Sequence, residues 1–600
     1  MEKDSNLASP QDDGAGEKLV DEKNGHNSKG IEVKYLTPSS QNGDAKIDIE
    51  NLKSIQFAGM GKEELMKFAS DPFWVRTRWF LFILFWLSWA AMLAGAIAII
   101  ILAPKCAPPA PRQWWEQSPL YKANVATFTK DPSKLQGDLK GFTTKLEYLS
   151  SLGVKTVVLS NILKVSDKES DGVDEFKTVA PSFGTLEDLK ALISAAKDKG
   201  LKLLLTLIPN HSSLKNDLFN KSASKDPLYE SFYIWAPGKG FTSEGMPAPP
   251  NNWLSKSGNS AWEWNEARKE FYLHQFDKEE PEFNFRNPKV VKFFDDVMQF
   301  WLDLGFSGFY LERTKYLIED VELRNETAKR DIGSATHTEY DFYDHFYTEN
   351  NADLEPLLHD WTERLANSSG ILVVDDLSVT ANRSLAHLIV RPQTLEPYPI
   401  FSAEDMFTLI NKSLKANPWP AWQIKVKNEE EGSPLAQCVL LSSMLLPGVP
   451  VTLAGQELGL SNLQEIPWDN TTYPESQESD VISQQNNPHS LYTAYKELVE
   501  ARNSPQILHG SLQLHIFNGT SVFAYTRIKS GNPGYLVVFN TGTEETTVDV
   551  RQMNGVPDEL TLVVTSDIAS MDDKSKLMSE AVTLPSRAVA VFRFVPKAKE

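Results

Sequence analysis

The sequence predicts an α/β protein: one membrane-crossing helix, then a (β/α) barrel, then an antiparallel β domain. Three observations predict it. Residues 79–103, WFLFILFWLSWAAMLAGAIAIIILA, are 25 residues without a formal charge. From Leu120 onward, amphipathic stretches alternate with short, continuously apolar runs. After about Leu508 the helical period stops, and short runs with partial alternation follow, parted by Gly, Asn and Pro.

The apolar stretch comes first. At ~1.5 Å per residue a 25-residue helix runs roughly 37 Å, enough to cross a hydrocarbon core of about 30 Å with some tilt. It is apolar on every side, unlike a surface helix of a soluble domain. With 78 residues before it, it is no cleaved signal peptide. Arg76 and Arg78 abut it on the N-terminal side, with Lys62 and Lys67 behind, against Lys105 and Arg112 beyond it. That bias puts the N-terminus in the cytosol and the C-terminus outside. Glycosylation acceptor patterns agree: Asn210, Asn220, Asn325, Asn367, Asn382, Asn411, Asn470 and Asn518 all follow the span, and none precedes it. Within the span, Ala90, Ala94 and Ala98 form one row of small residues, and Ala91 and Gly95 another. Such rows suit either close packing with a membrane partner or plain lipid contact.

Charge excludes one function class. The chain carries a formal charge of −20: residues 1–78 hold 11 Lys+Arg and 14 Asp+Glu, and the part beyond the span holds 49 and 66. So acidic a head is not a nucleic-acid binder. Residues 1–50 are charged and nearly free of aromatics, the composition of a disordered tail. Lys62–Ala69 (KEELMKFA) is either a short interfacial helix or a linker.

Two cysteines are too few for a disulfide scaffold. Cys438 lies in an apolar run and reads as a buried small hydrophobe. Cys106 follows the span closely, among Pro104, Pro108, Pro109 and Pro111. A thiol left exposed on a stiff stalk points to a bond with another chain; a bond to Cys438 and a free thiol are the alternatives.

The barrel pattern runs in order. A helix over Gly137–Gly153 leads to the strand Val154–Ser160. A helix over Thr185–Gly200, capped by Thr185 with Asp188 three residues on, leads to the strand Leu201–Pro209. Continuous apolar strands between helices imply a parallel sheet covered by helices. Residues 212–285, rich in Trp, Pro, Asn and Gly, read as an inserted subdomain. The alternation resumes with Val290–Gly305, the strand Phe306–Glu312, the strand Ile371–Asp376, a helix over Gln437–Leu446 and the run Pro447–Gly455.

These segments resemble the α-amylase family of glycoside hydrolases from about Ser118 to the C-terminus. The likeness rests on DLKGFTTKLEYLSSLGV, PSFGTLEDL, PNH at Pro209–His211, PPNNW, YLHQFDKEEPEFNFRNP, GFSGFYLE, PGVPVTLAGQELGL and PWDN. It implies a (β/α)8 TIM barrel, a loop subdomain after strand 3 and a C-terminal β-sandwich. It also implies an Asp nucleophile ending strand 4, two residues after an Arg, and a Glu acid/base after strand 5, since retaining glycosidases need paired carboxylates. Here the matching positions are Glu312, Tyr310 and Asp376, each carboxylate the wrong length by one methylene. Thr206 replaces the strand-3 Asp, His211 is retained, and the His-Asp pair of strand 7 falls near Lys427 and Asn428. The expectation is a degenerate former active site of Thr206, His211, Tyr310, Glu312 and Asp376, with no catalytic residue, no metal and no cofactor.

A second likeness covers Phe57–Pro72, Trp74–Cys106 and Gln113–Tyr121, which resemble the heavy chains of heteromeric amino-acid transporters, of the four-F-two cell-surface antigen type. That family implies a single-pass plasma-membrane glycoprotein, non-catalytic, linked by a disulfide near the membrane to a polytopic light chain that carries the amino acids; Cys106 matches the linking cysteine. Retention of 212–285 is the mark of the other heavy-chain type, serving cystine and basic amino acids. The expected organisation is a cytosolic tail (1–78), a span (79–103), a stalk (104–117), an amylase-like barrel (118–505) and a β domain (506–600). Expected glycan sites are Asn220, Asn325, Asn367, Asn382, Asn411, Asn470 and Asn518. The competing reading is a membrane-anchored α-glucosidase; contacts with adhesion receptors are a further role.

Overall fold

The computed structural model describes residues 61–102 and 109–597, except 130–135, 161, 166–170, 332, 334, 376, 378–384, 396–401, 427–431, 461–464, 470–478, 518, 520 and 567–575. Cys106, Asp376, Lys427, Asn428, Asn382, Asn470 and Asn518 therefore lie outside the described residues, as does the tail before residue 61. The chain divides into two units, Met1–Ala107 and Pro108–Glu600.

The first unit contains helix α1 (Lys62–Ala69) and helix α2 (Pro72–Leu102). Among the described residues α2 is the one helix long and apolar enough to cross a membrane. It begins seven residues before the apolar stretch. Asp71 accepts a hydrogen bond from the Phe73 amide at 3.0 Å, and Pro72 occupies the first helical position. An N-cap followed by Pro starts a helix whatever the polarity of the next turn.

The second unit opens with the short helix α3 (Trp114–Gln117) and then forms a closed barrel of eight parallel strands. They are β1 (Leu120–Asn124), β2 (Thr156–Ser160), β3 (Lys202–Leu207), β4 (Gly308–Leu311), β5 (Ile371–Asp375), β6 (Leu388–Leu395), β7 (Ala421–Val426) and β8 (Val449–Leu453). Neighbours follow chain order, and β1 pairs with both β2 and β8. Strand side chains alternate between faces. One set (Leu120, Val158, Leu204, Tyr310, Ile371, Val373, Val390, Val449 and Val451 among them) fills the barrel interior with Trp419. Trp114 and Trp115 pack against this interior cluster, and the Arg112 guanidinium lies 3.7 Å over the Trp419 ring.

The helix expected over 137–153 is two helices, Leu139–Thr144 and Leu146–Ser151, broken at Lys145. Thr143 and Thr144 turn their hydroxyls back onto the carbonyls of Leu139 and Gly141, both at 2.7 Å, a bonding pattern that loosens the helical ladder. The helix expected over 437–446 spans Pro434–Ser443, because Ser433 caps it and Pro434 starts it. The insertion holds a three-stranded sheet of Trp235–Ala236, Trp262–Asn265 and Glu270–Leu273.

Beyond residue 510 a six-stranded antiparallel sheet runs β9 (Ser511–Ile516), β10 (Val522–Ile528), β11 (Gly534–Asn540), β14 (Ala588–Phe594), β12 (Glu559–Thr565), β13 (Lys576–Met578). Its two faces have different partners. Phe523, Tyr525, Val537 and Val589 join the main core with the barrel helices. Val522, Leu536, Val538 and Phe592 pack instead with Val548, Val582 and Leu584 of a two-stranded ribbon.

Candidate functional site

The site follows from the period of two. The interior positions Leu120, Val158, Leu204, Tyr310 and Val373, advanced by two residues, become Lys122, Ser160, Thr206, Glu312 and Asp375. These polar side chains crown the C-terminal end of the barrel, where enzymes of this architecture keep their chemistry. Register joins them further: Thr206 stands opposite Tyr310, and Ser160 Oγ lies 3.4 Å from Thr206 Oγ1.

Two ion pairs organise the crown. The Lys122 ammonium bonds the Glu312 carboxylate and sits 4.9 Å from the centre of the Tyr310 ring. Arg313, held at φ +58°, bonds Asp171 and lies 3.5 Å from Glu280, which also accepts a hydrogen bond from the Asp171 amide at 2.9 Å. Burial raises the Asp171 carboxyl above the usual range against the pull of Arg313, and the charges of Glu280 and Glu312 add to the rise. Tyr310 is driven up by burial and by the negative charge of Asp375 and Glu312.

His211 is fully enclosed, with its Nε2 3.5 Å from Glu280. Burial, and then the positive charge of Arg313, pushes its pKa well below the usual histidine value, so the ring is neutral at physiological pH. Asn210 is equally buried and donates from Nδ2 to the Arg313 carbonyl at 3.1 Å. Beside this cluster lies a cavity of about 430 Å³, lined by Asn124, Gln136, Lys164, Asp171, Thr206 and Ile208 among others.

The structure therefore brings together Thr206, His211, Tyr310 and Glu312; Asp376 falls outside the described residues. In place of a cation at position 310, Glu312 has the ammonium of Lys122 from the first strand. Sequence reading missed Lys122, Arg313 and the arginine's carboxylate partners Asp171 and Glu280. Lys122 was findable: an inward lysine in the strand LYKAN requires an anion within reach. Asp171 carries no local signal, since it reaches Arg313 across 142 residues of chain. No group of three or more metal-ligating side chains occurs among the described residues.

Of the acceptor asparagines, Asn220, Asn325 and Asn367 are exposed, Asn325 accepting from the Asn252 amide at 3.2 Å, and Asn411 is half-buried. Cys438 is a buried free thiol whose Sγ donates to the Arg587 carbonyl at 2.9 Å.

Comparison with known proteins gives two family matches. The α-amylase catalytic-domain family matches residues 120–417, and the N-terminal family of solute carrier family 3 member 2 matches residues 44–121. The human amino acid transporter heavy chain SLC3A1 is 30% identical over 613 residues, covering 90% of this chain and 86% of its own. Maltase 1 of Drosophila virilis is 30% identical over 527 residues, covering 75% and 82%. Among solved structures, the α-glucosyl transfer enzyme XgtA superposes with a TM-score of 0.69 at 22% identity over 81% of this chain and 100% of that one. The Bacillus licheniformis trehalose-6-phosphate hydrolase gives 0.67 at 18% with the same coverage. At these identities the two likenesses establish the fold.

Proposed function

The chain belongs to the amino-acid transporter heavy chains, whose ectodomain is amylase-like, and from that membership we propose that it is a non-catalytic subunit of a heteromeric transporter. In this reading α2 anchors it in the plasma membrane with its N-terminus in the cytosol. Cys106 ties it to a polytopic light chain, which it stabilises and delivers to the surface. One helix gives no protein-lined route for a polar solute, so the light chain carries the amino acids.

The observation that carries the non-catalytic part is the Lys122–Glu312 ion pair over the Tyr310 ring. A nucleophile must lie within near-attack reach of the sugar carbon; Glu312 is one methylene longer than the family's Asp and is drawn toward Lys122 on the first strand. The maltase relative and the cavity beside Thr206 favour a second reading, a membrane-anchored α-glucosidase.

Non-reducing electrophoresis of the membrane-extracted protein tests the first reading. A larger species is expected, collapsing on reduction and absent in Cys106→Ser; unchanged mobility with and without reductant removes the covalent partner. Release of glucose from maltose by the purified ectodomain, lost in Glu312→Gln, establishes the second reading in its place.

A further inference from the structure

Helix α1 has an apolar side that nothing among the described residues of its own unit covers. At 100° per residue, Leu65, Met66, Phe68 and Ala69 fall within roughly 160° of its circumference, opposite Glu63, Glu64 and Lys67; Lys62, the first residue, shares that arc with its long stem. Leu65, Met66 and Phe68 are exposed, as are Phe73 and Trp74 at the start of α2. Only Ser70 and Asp71 separate the two helices, and that joint is fastened. The Arg78 guanidinium, in the second turn of α2, donates to the Ala69 carbonyl at 2.7 Å and the Phe68 carbonyl at 3.3 Å. Its Nε donates to the Trp74 carbonyl at 3.2 Å. Carbonyls at a helix C-terminus lack intrahelical partners. A guanidinium satisfies them and complements the negative end of the helix dipole.

We propose that α1 is an interfacial anchor, lying in the headgroup layer of the bilayer that α2 crosses, with Leu65, Met66 and Phe68 turned to the acyl chains and Arg78 as the latch that fixes it to the span. The occupant of the apolar side is lipid because that side continues, across a two-residue joint, into a helix that is itself apolar all round. The charges are mixed: Lys62, Lys67, Arg76 and Arg78 stand against Glu63, Glu64 and Asp71. Apolar burial therefore drives the contact, and anionic lipid is not required. The inference rests on α2 crossing the membrane and is independent of any light chain.

The test uses the full chain carrying Cys106→Ser, with Cys438 shielded by burial, in phosphatidylcholine vesicles with and without phosphatidylserine. A polarity-sensitive dye is attached at Leu65→Cys or at Glu63→Cys, and quenching by lipids brominated near the headgroup is read. At least about twofold stronger quenching at 65 than at 63 is expected in both lipid mixtures, as for a helix lying in the interface plane. Arg78→Ala and Arg78→Lys should each erase most of that contrast, since an ammonium cannot bridge two carbonyls as the fork does. Equal quenching at both positions overturns the anchor and leaves the apolar side to a protein partner. Contrast only with phosphatidylserine overturns the apolar mechanism, and full contrast in Arg78→Lys overturns the latch.

Discussion

The ammonium of Lys122, on the first strand of the barrel, is bonded to the carboxylate of Glu312, just beyond the fourth, across the crown and over the ring of Tyr310. Both side chains are about one-fifth exposed, so the pair is neither a solvated surface contact nor a dry one. Losing Lys122 leaves the Glu312 charge beside the like charge of Asp171, and losing Glu312 leaves a partly buried ammonium without this partner. Lys122→Met and Glu312→Gln are each expected to destabilise the ectodomain by about 1–3 kcal/mol, between the exposed and buried limits for ion pairs. In the double variant the losses should not add, and urea denaturation of the four proteins measures the coupling.

A second expectation concerns pH. Burial lifts the carboxyl of Glu319 to about 7, with Asp320 adding to the rise and Arg286 opposing it. Between the ordinary carboxylate value and about 7 the folded chain binds a proton that the unfolded chain has released. Stability contributed by this group is therefore complete below about pH 4 and falls as pH rises, by up to about 3 kcal/mol once pH passes 7. Unfolding measured at pH 5 and pH 8 should show that loss in the native protein and a smaller one in Glu319→Gln.

Two buried guanidiniums brace the end of the barrel, and the second ties it to the β domain. Arg502 donates to the carbonyls of Met444 and Gly448, which follow the helix Pro434–Ser443. Arg527, on β10, reaches Leu445 at 3.3 Å, Gln506 at 3.4 Å and Gly510 at 3.2 Å, and also bonds Ile507. Burial lowers them to about 9 and about 10 respectively. Arg502→Met orphans two carbonyls and should cost about 2–5 kcal/mol, and Lys should not rescue it. A thermal melt of the secreted ectodomain reads the effect.

Gly308 opens β4 at φ +144°, and a Cβ built there would stand 2.1 Å from the Ile371 carbonyl oxygen. That oxygen belongs to the neighbouring strand, so it cannot yield without parting β4 from β5. Gly308→Ala is expected to cost more than about 3 kcal/mol, seen as loss of secreted folded protein.

Burial raises the Cys438 thiol to about 11. Its reaction with iodoacetamide in the native protein should be at least about 100-fold slower than after unfolding, because the thiolate is the nucleophile. Any thiol labelled under native conditions after mild reduction should map to Cys106 by peptide analysis.

The barrel was legible because buried parallel strands leave uninterrupted apolar runs, and the helix Leu186–Asp198 because Thr185 and Asp188 form a local capping box. The membrane helix was legible from length and charge, yet its start was not: the Asp71–Pro72 signal sits in a polar segment and was outweighed by hydropathy. In the crown, Thr206, His211, Tyr310 and Glu312 were found through their place in a family pattern. Lys122, Asp171, Glu280 and Arg313 were not, since what matters about them is pairing across the barrel, and a linear reading has no term for distance between strands. The break at Lys145 was missed for a different reason: two threonine hydroxyls competing for backbone carbonyls leave the amphipathic period intact.

Arg112, Trp114 and Trp115 act as a stopper for the barrel floor. The indoles cover apolar side chains that would otherwise meet water, and the arginine, which also donates to the Leu508 carbonyl at 3.1 Å, seats itself on Trp419. A soluble form cut at residue 118 would keep all eight strands and lose that stopper. One cut at 109 keeps it, so the boundary of a well-behaved recombinant fragment is set by three side chains upstream of the first strand.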